Sequence, residues 1–182
     1  PWEFRDIARV FESLRALHDR GSTVIRESPD IGWRDLGRVW DKDFDLGEPA
    51  NWCEAFGPDG EALHDWVLDA KDDLAARAVP LSRLETREVL VHGDARHDNV
   101  IPTAGSRVVL VDFAKTGSAP AEFDAATMTL NAAFLFSAHP RQIFEIASGC
   151  MQLEVDVIDR IVAGMIGYYA RSVWKPPRSG MH

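Results

Sequence analysis

Val89-Leu90-Val91-His92-Gly93-Asp94-Ala95-Arg96-His97-Asp98-Asn99-Val100-Ile101 sets a β-branched apolar run against a dense polar loop. Val89, Leu90 and Val91 read as a short buried strand. The run breaks at Gly93. Polar side chains fill His92, Asp94, Arg96, His97, Asp98 and Asn99, and the chain turns apolar again at Val100 and Ile101. So many polar groups between two buried strands are costly unless they are paired or bind something. A second acid, Asp112, ends the next apolar run, from Arg107 to Phe113. On this reading Asp94, Asn99 and Asp112 converge on one site.

Helical periodicity frames the segment. Phe4, Ile7, Phe11, Leu14 and Leu17 form a stripe over 3–19, and Gly21 is placed to stop it. His18 reads as a helix-end or packing residue. A second helix over 59–79 puts Leu63, Trp66, Val67, Ala70 and Leu74 on one face and ends at Pro80. Three more are expected over 121–137, 140–151 and 155–174, with Gly164 and Gly167 allowing close contact in the last. Residues 21–60 read as an irregular insert, mostly loop around a short helix near Trp33 to Trp40. Its aromatic load, Trp33, Trp40, Trp52 and Phe56, either staples the loop to the core or forms a lid or substrate wall. Asp41, Asp43 and Asp45 resemble a calcium loop only superficially, because the Gly and distal Glu of an EF-hand are not at the required spacing. The tail over 175–182 is expected to fray. The organisation is α+β, with helices around one small β segment in a single domain over 1–182.

Composition narrows the function classes. The chain has 182 residues, 46% hydrophobic and 27% charged, enough for a real core and unlike a disordered segment. Its formal net charge of −9 disfavours nucleic acid and anionic membrane as partners. No apolar run approaches a membrane span and no signal peptide is visible. The two cysteines, Cys53 and Cys150, lack metal-type spacing, which fits reduced thiols in a cytoplasmic protein.

The loop fits phosphoryl transfer. That reaction needs a carboxylate to take the acceptor's proton and oxygen ligands for magnesium. Asn99 and Asp112 supply such oxygens, and Asp94 is left as the base. A cation is required: two like charges about 4 Å apart repel by about 4 kcal/mol at an effective dielectric of about 20. Without one, the acidic loop repels a nucleoside triphosphate.

Protein kinases carry His-Arg-Asp, an Asn five positions after that Asp, and Asp-Phe-Gly on the following hairpin. His92-Gly93-Asp94, Asn99 and Asp112-Phe113-Ala114 have the same order and spacing. With Gly in the middle position, the pattern resembles the aminoglycoside phosphotransferase and choline kinase branch of the kinase-like superfamily. Gly117 to Pro120, Phe123 to Ala126, and Leu17-His18 with Gly21 resemble further elements of that branch, so the likeness runs from about residue 4 to about 130. It implies a mainly helical, kinase-like C-terminal lobe whose small β segment carries the catalytic and metal loops. It implies Asp94 as catalytic base, Asn99 and Asp112 as ligands of Mg2+, and ATP or GTP as phosphoryl donor to a small-molecule hydroxyl. His92 would brace the loop. Asp124 would be a structural acid pairing with the loop through Arg96 or His97, against the plainer reading of a helix N-cap. Lys115 reads as a surface lysine, with a phosphate contact as the alternative.

The chain departs from the pattern at Ala95, where a larger apolar residue is usual, and at Arg96, which adds a cation beside the base. Nothing before residue 88 resembles the N-terminal lobe, with its Gly-rich loop and Val-Ala-Ile-Lys-like strand. The expectation is therefore a C-terminal lobe without its partner lobe. Two readings follow: a phosphotransferase completed from elsewhere, or an inactive kinase-like module that binds a ligand, a protein partner or other domains of a longer chain. A metal-dependent phosphoesterase using His92, Asp94, His97, Asp98 and Asp112 is a third and weaker option.

Overall fold

The computed structural model describes residues 3–21, 24–41, 43–103 and 107–173; the tail expected to fray lies outside them. The chain divides into two compact units. One holds Pro1–Trp33 and Glu85–Ile158, the other Arg34–Leu84 and Asp159–His182.

The first unit carries the polar loop. Asp6–Arg20 (α1) repeats apolar residues at helical spacing, and Ile7, Val10, Phe11 and Leu14 are completely buried. Full burial of such side chains contributes about 1.5–3 kcal/mol each. Phe4 precedes the helix and stays half exposed, its ring edge-on to Phe136. Ala121–Leu135 (α4) and Pro140–Cys150 (α5) complete the core with Ala125, Met128, Ala132, Ile143 and Ala147. Ala95 from the loop is buried in the same cluster, so its small side chain is fitted to a filled site.

Four three-residue strands form two antiparallel pairs. Val89–Val91 (β1) pairs with Gly117–Ala119 (β4), placing Leu90 opposite Ser118. Val100–Pro102 (β2) pairs with Val108–Leu110 (β3), placing Ile101 opposite Val109. The segment holds one strand that the sequence reading lacks: β1 takes its partner from Gly-Ser-Ala, a run with little strand character of its own. One expectation needs correction: Val100 is buried, but Ile101, read with it as part of a buried strand, is 51% exposed, and Val109 opposite it 48%.

The second unit is built around Trp40, Phe44, Leu46, Trp52, Val67, Leu74, Ala163 and Ala170. The insert is less irregular than expected. Pro49–Phe56 (α2) is a helix, started by Pro at its first position, where a missing N–H is harmless. Gly60–Ala78 (α3) and the length of Val155–Val173 (α6) beyond Ile158 complete the unit. The indoles act as staples. Trp40 Nε1 donates to the Ala163 carbonyl at 3.0 Å, and Trp52 Nε1 to that of Leu46 at 2.8 Å. A Cβ on Gly164 would fall 2.6 Å from that of Leu36, so glycine permits this close packing. The alternating acids have local roles. Asp41 pairs with Arg171 at 3.2 Å, and Asp45 Oδ1 accepts from Gly47 N. In the first unit Trp33 is buried as well, with Nε1 3.4 Å from Glu88 Oε1.

Candidate active site

The loop between β1 and β2 hangs from helix α4. Asp124 is completely buried four residues into that helix. Its Oδ2 accepts from His92 N at 2.8 Å and from His18 Nε2 at 3.0 Å, and its Oδ1 accepts from Gly93 N at 3.0 Å. Three donors offset the desolvation of a buried carboxylate. Two expectations about Asp124 are corrected here. It is no N-cap, since Pro120 holds that position without a side-chain bond. Nor does it meet Arg96 or His97: Arg96 turns to Asp94 and Asp98, and His97 is taken by Asn131.

Asn131 was not singled out in the sequence. Its Oδ1 accepts from His97 N at 2.8 Å and lies 2.9 Å from His97 Nδ1. A signal was present, however. Asp124 and Asn131 are seven apart in α4, on one face of a helix otherwise rich in Ala. That polar pair holds both ends of the loop's first half.

His92 is completely buried beneath the loop. Its Nε2 donates to the Val111 carbonyl at 2.8 Å, which assigns the ring hydrogen to Nε2. Its Nδ1 accepts from Asp94 N at 3.4 Å, a long bond, and its ring packs against Phe113 with centroids 4.8 Å apart. The imidazole thus spans from the Asp94 backbone to the residue before Asp112.

Asn99 makes the complementary link. Its Nδ2 donates to the Asp94 carbonyl at 2.9 Å, and its own carbonyl accepts from Val111 N at 2.9 Å. The side-chain nitrogen is therefore committed, while Oδ1 accepts no hydrogen bond among the described residues. Asp112 is exposed at a left-handed backbone position, φ 59°, a conformation that Asp tolerates better than most residues. Its Oδ1 lies 3.4 Å from Ala114 N and opens the 3₁₀ turn Phe113–Lys115. These oxygens, one amide and one carboxylate, are of the hard type that magnesium takes.

The Asp94 carboxylate meets two cations. Arg96 Nε lies 3.2 Å from Oδ1, and Lys115 Nζ lies 3.0 Å from Oδ2. Arg96 also reaches Asp98 at 3.1 Å. Among the described residues no group of three or more His, Cys, Asp and Glu side chains is arranged to hold a metal ion, so the phosphoesterase ligand set is not assembled there.

Gly93 explains the middle position of His-Gly-Asp. Its φ is +79°, and a Cβ there would lie 2.1 Å from the Lys115 carbonyl oxygen. Gly93→Ala is expected to destabilise the protein by about 3 kcal/mol, through backbone strain and overlap. Urea denaturation would measure it, and a loss under about 1 kcal/mol would contradict the close approach.

A separate cavity of about 660 Å³ lies in the same unit, lined in part by Arg15, His18, Arg87, Glu122 and Cys150. Its lining includes none of Asp94, Asn99 and Asp112. Both cysteines are free, and burial pushes the Cys150 thiol above its ordinary range, with Glu12 adding to the effect and Arg15 opposing it. Among the described residues no helix is long and apolar enough to cross a membrane.

Comparisons with known proteins bear on the family and the fold. The model of the phosphotransferase enzyme family, APH, matches residues 5–158. No curated protein matches the chain. Among solved structures, the AMP-bound complex of spectinomycin phosphotransferase, APH(9)-Ia, is similar, with a TM-score of 0.52 and 17% identity. The match covers 92% of this chain and 57% of that one, so the chain spans little more than half of that enzyme's length. At this identity the likeness speaks to the fold, a kinase-like α+β arrangement. With most of its length matched by the family model, the chain belongs to the phosphotransferase enzyme family.

Proposed function

We propose that the chain is the catalytic half of a nucleoside-triphosphate-dependent phosphotransferase acting on a hydroxyl of a small molecule. Asp94 is the general base. Asn99 and Asp112 hold magnesium, which when bound neutralises phosphate charge. The observation that carries the reading is the pair of bonds from Asn99, to the Asp94 carbonyl and to Val111 N beside Asp112. Together they tie the base and both metal-binding positions into one short circuit. The exposed Ile101–Val109 pair, across the two strands that follow Asn99, supplies an apolar face for a nucleobase. Nucleotide use is carried over from spectinomycin phosphotransferase, whose structure holds AMP. The grip on the triphosphate from the opposite side is assigned to residues outside this chain.

The ion pairs at Asp94 favour a second reading, an inactive kinase-like module that binds a ligand or partner, since both carboxylate oxygens face cations. Calorimetric titration of ATP into the full natural protein, with and without magnesium, separates the two when paired with an assay of ATP consumption. The expected result is magnesium-dependent binding with turnover. Asp112→Asn is expected to weaken the magnesium-dependent binding by about tenfold, equal to 1.4 kcal/mol. Binding indifferent to Asp112→Asn removes Asp112 as a ligand. Binding without turnover selects the inactive module, and no binding at all sinks both nucleotide assignments.

A further inference from the structure

We infer that Lys115 is a phosphate-binding residue, which leaves Asp94 for the transferring phosphoryl group when nucleotide arrives. The inference rests on the phosphotransferase reading above and deepens it. An acceptor hydroxyl needs one oxygen of the Asp94 carboxylate, yet Oδ1 faces Arg96 at 3.2 Å and Oδ2 faces Lys115 at 3.0 Å. Each oxygen can accept a second hydrogen bond, so the hydroxyl can dock beside either cation, and the less firmly held of the two is the one available to an incoming phosphate.

The geometry selects Lys115. Arg96 is held at a second point by Asp98, 3.1 Å away. Lys115 has no second partner among the described residues, and its side chain is 66% exposed. An exposed ion pair of this kind is weak and readily exchanged. A lysine ammonium is also a compact charge on a flexible four-carbon stem, free to swing where the planar guanidinium is not.

The position of Lys115 supplies its second partner. It closes the 3₁₀ turn that Asp112 opens, three residues from the proposed magnesium ligand. That turn is pinned at both ends. Asp112 Oδ1 faces Ala114 N, and the Lys115 carbonyl lies against Gly93 so tightly that no Cβ fits between them. The base of the lysine stem is thus fixed between the proposed base and the proposed metal site. A terminal phosphoryl group brought there carries more negative charge than one carboxylate and draws the ammonium over. The exchange clears the space beside Oδ2 for the acceptor when nucleotide is bound.

Calorimetry with ATP, ADP and AMP, each with magnesium, tests this on the full natural protein and on Lys115→Met and Lys115→Arg. In Lys115→Met, ATP binding is expected to weaken by about tenfold, ADP binding by about twofold or less, and AMP binding not at all. Lys115→Arg is expected to restore most of the ATP affinity. A purely surface role for Lys115 predicts equal affinities in all variants. Equal weakening of all three nucleotides, or no weakening, overturns the inference while leaving the phosphotransferase reading in place. A wild-type protein that binds none of the three overturns that reading, and this inference with it. Because Lys115 is exposed, the melting temperature of Lys115→Met should match the wild type. Should Lys115→Met melt early, Lys115→Gln decides by the same ATP-to-ADP comparison.

Discussion

Asp94→Asn is expected to lower magnesium-dependent ATP turnover by about 10²- to 10⁴-fold, the usual worth of a positioned general base. The fold should survive the change. The carbonyl that accepts from Asn99 and the N–H directed at His92 belong to the Asp94 backbone, and substitution leaves both. The side chain itself contacts the exposed cations Arg96 and Lys115, and surface pairs of this kind contribute about 0–1 kcal/mol. Activity and stability should therefore separate: a large fall in kcat with a melting temperature within a few degrees of wild type. The assay needs the full natural protein, and water can stand in for the acceptor by following ATP hydrolysis. Turnover within about threefold of wild type would remove Asp94 as the base.

Asp124→Ala should do the opposite, striking stability first. The carboxylate is completely buried and serves three donors on His18, His92 and Gly93. Deleting it leaves two backbone N–H groups and an imidazole N–H without acceptors in a closed space. Orphaned donors of this kind cost about 1–3 kcal/mol each, less whatever local relaxation recovers. A total of about 3–5 kcal/mol is expected, in line with removal of one member of a buried pair. For a chain of this size that corresponds to roughly 10 °C in melting temperature. Asp124→Asn keeps the shape and one oxygen and should fall between the two, with turnover reduced because Gly93 and then Asp94 lose their anchor. Chemical denaturation of both variants measures the effect. A loss below about 1 kcal/mol for Asp124→Ala would show that the loop is held by something other than this carboxylate.

These two acids illustrate how unevenly the site was legible. Asp94, Asn99 and Asp112 stood out because their chemistry repeats at a set spacing within a short window, and their order resembles that of a known family. The helices were legible for a similar reason: apolar residues recur every three or four positions, and Gly21, Pro80 and Pro140 punctuate them. Asp124 was visible as an acid, but its partners were not. His18 lies 106 residues from it in sequence and His92 lies 32 away. No local pattern connects such residues. The link depends on α1, β1 and α4 packing around one core.

The strands divide along the same line. β1 was readable from Val-Leu-Val, a run of strand-forming residues. β4 was not, since Gly117, Ser118 and Ala119 have low intrinsic strand preference and become a strand by pairing with β1. Burial was misjudged at Ile101 because an apolar residue signals the core only when something covers it. The α2 helix was hidden in a run of Gly and Pro, and buried Trp52 now anchors it within the second unit.

Lys115 is the clearest case. In the sequence it reads as a surface lysine with a phosphate contact as the alternative, and nothing nearby decides between the two. Its contact with Asp94 spans 21 residues and exists because the 3₁₀ turn after Asp112 lies against Gly93. Residue type and spacing established the donor groups, the helical frame and the family resemblance, since those properties are carried by the covalent chain. Which cation meets which acid, which apolar side chain stays uncovered and which backbone hangs from a buried carboxylate were settled by the path of the folded chain, because each is a contact between segments with no local interaction to specify it.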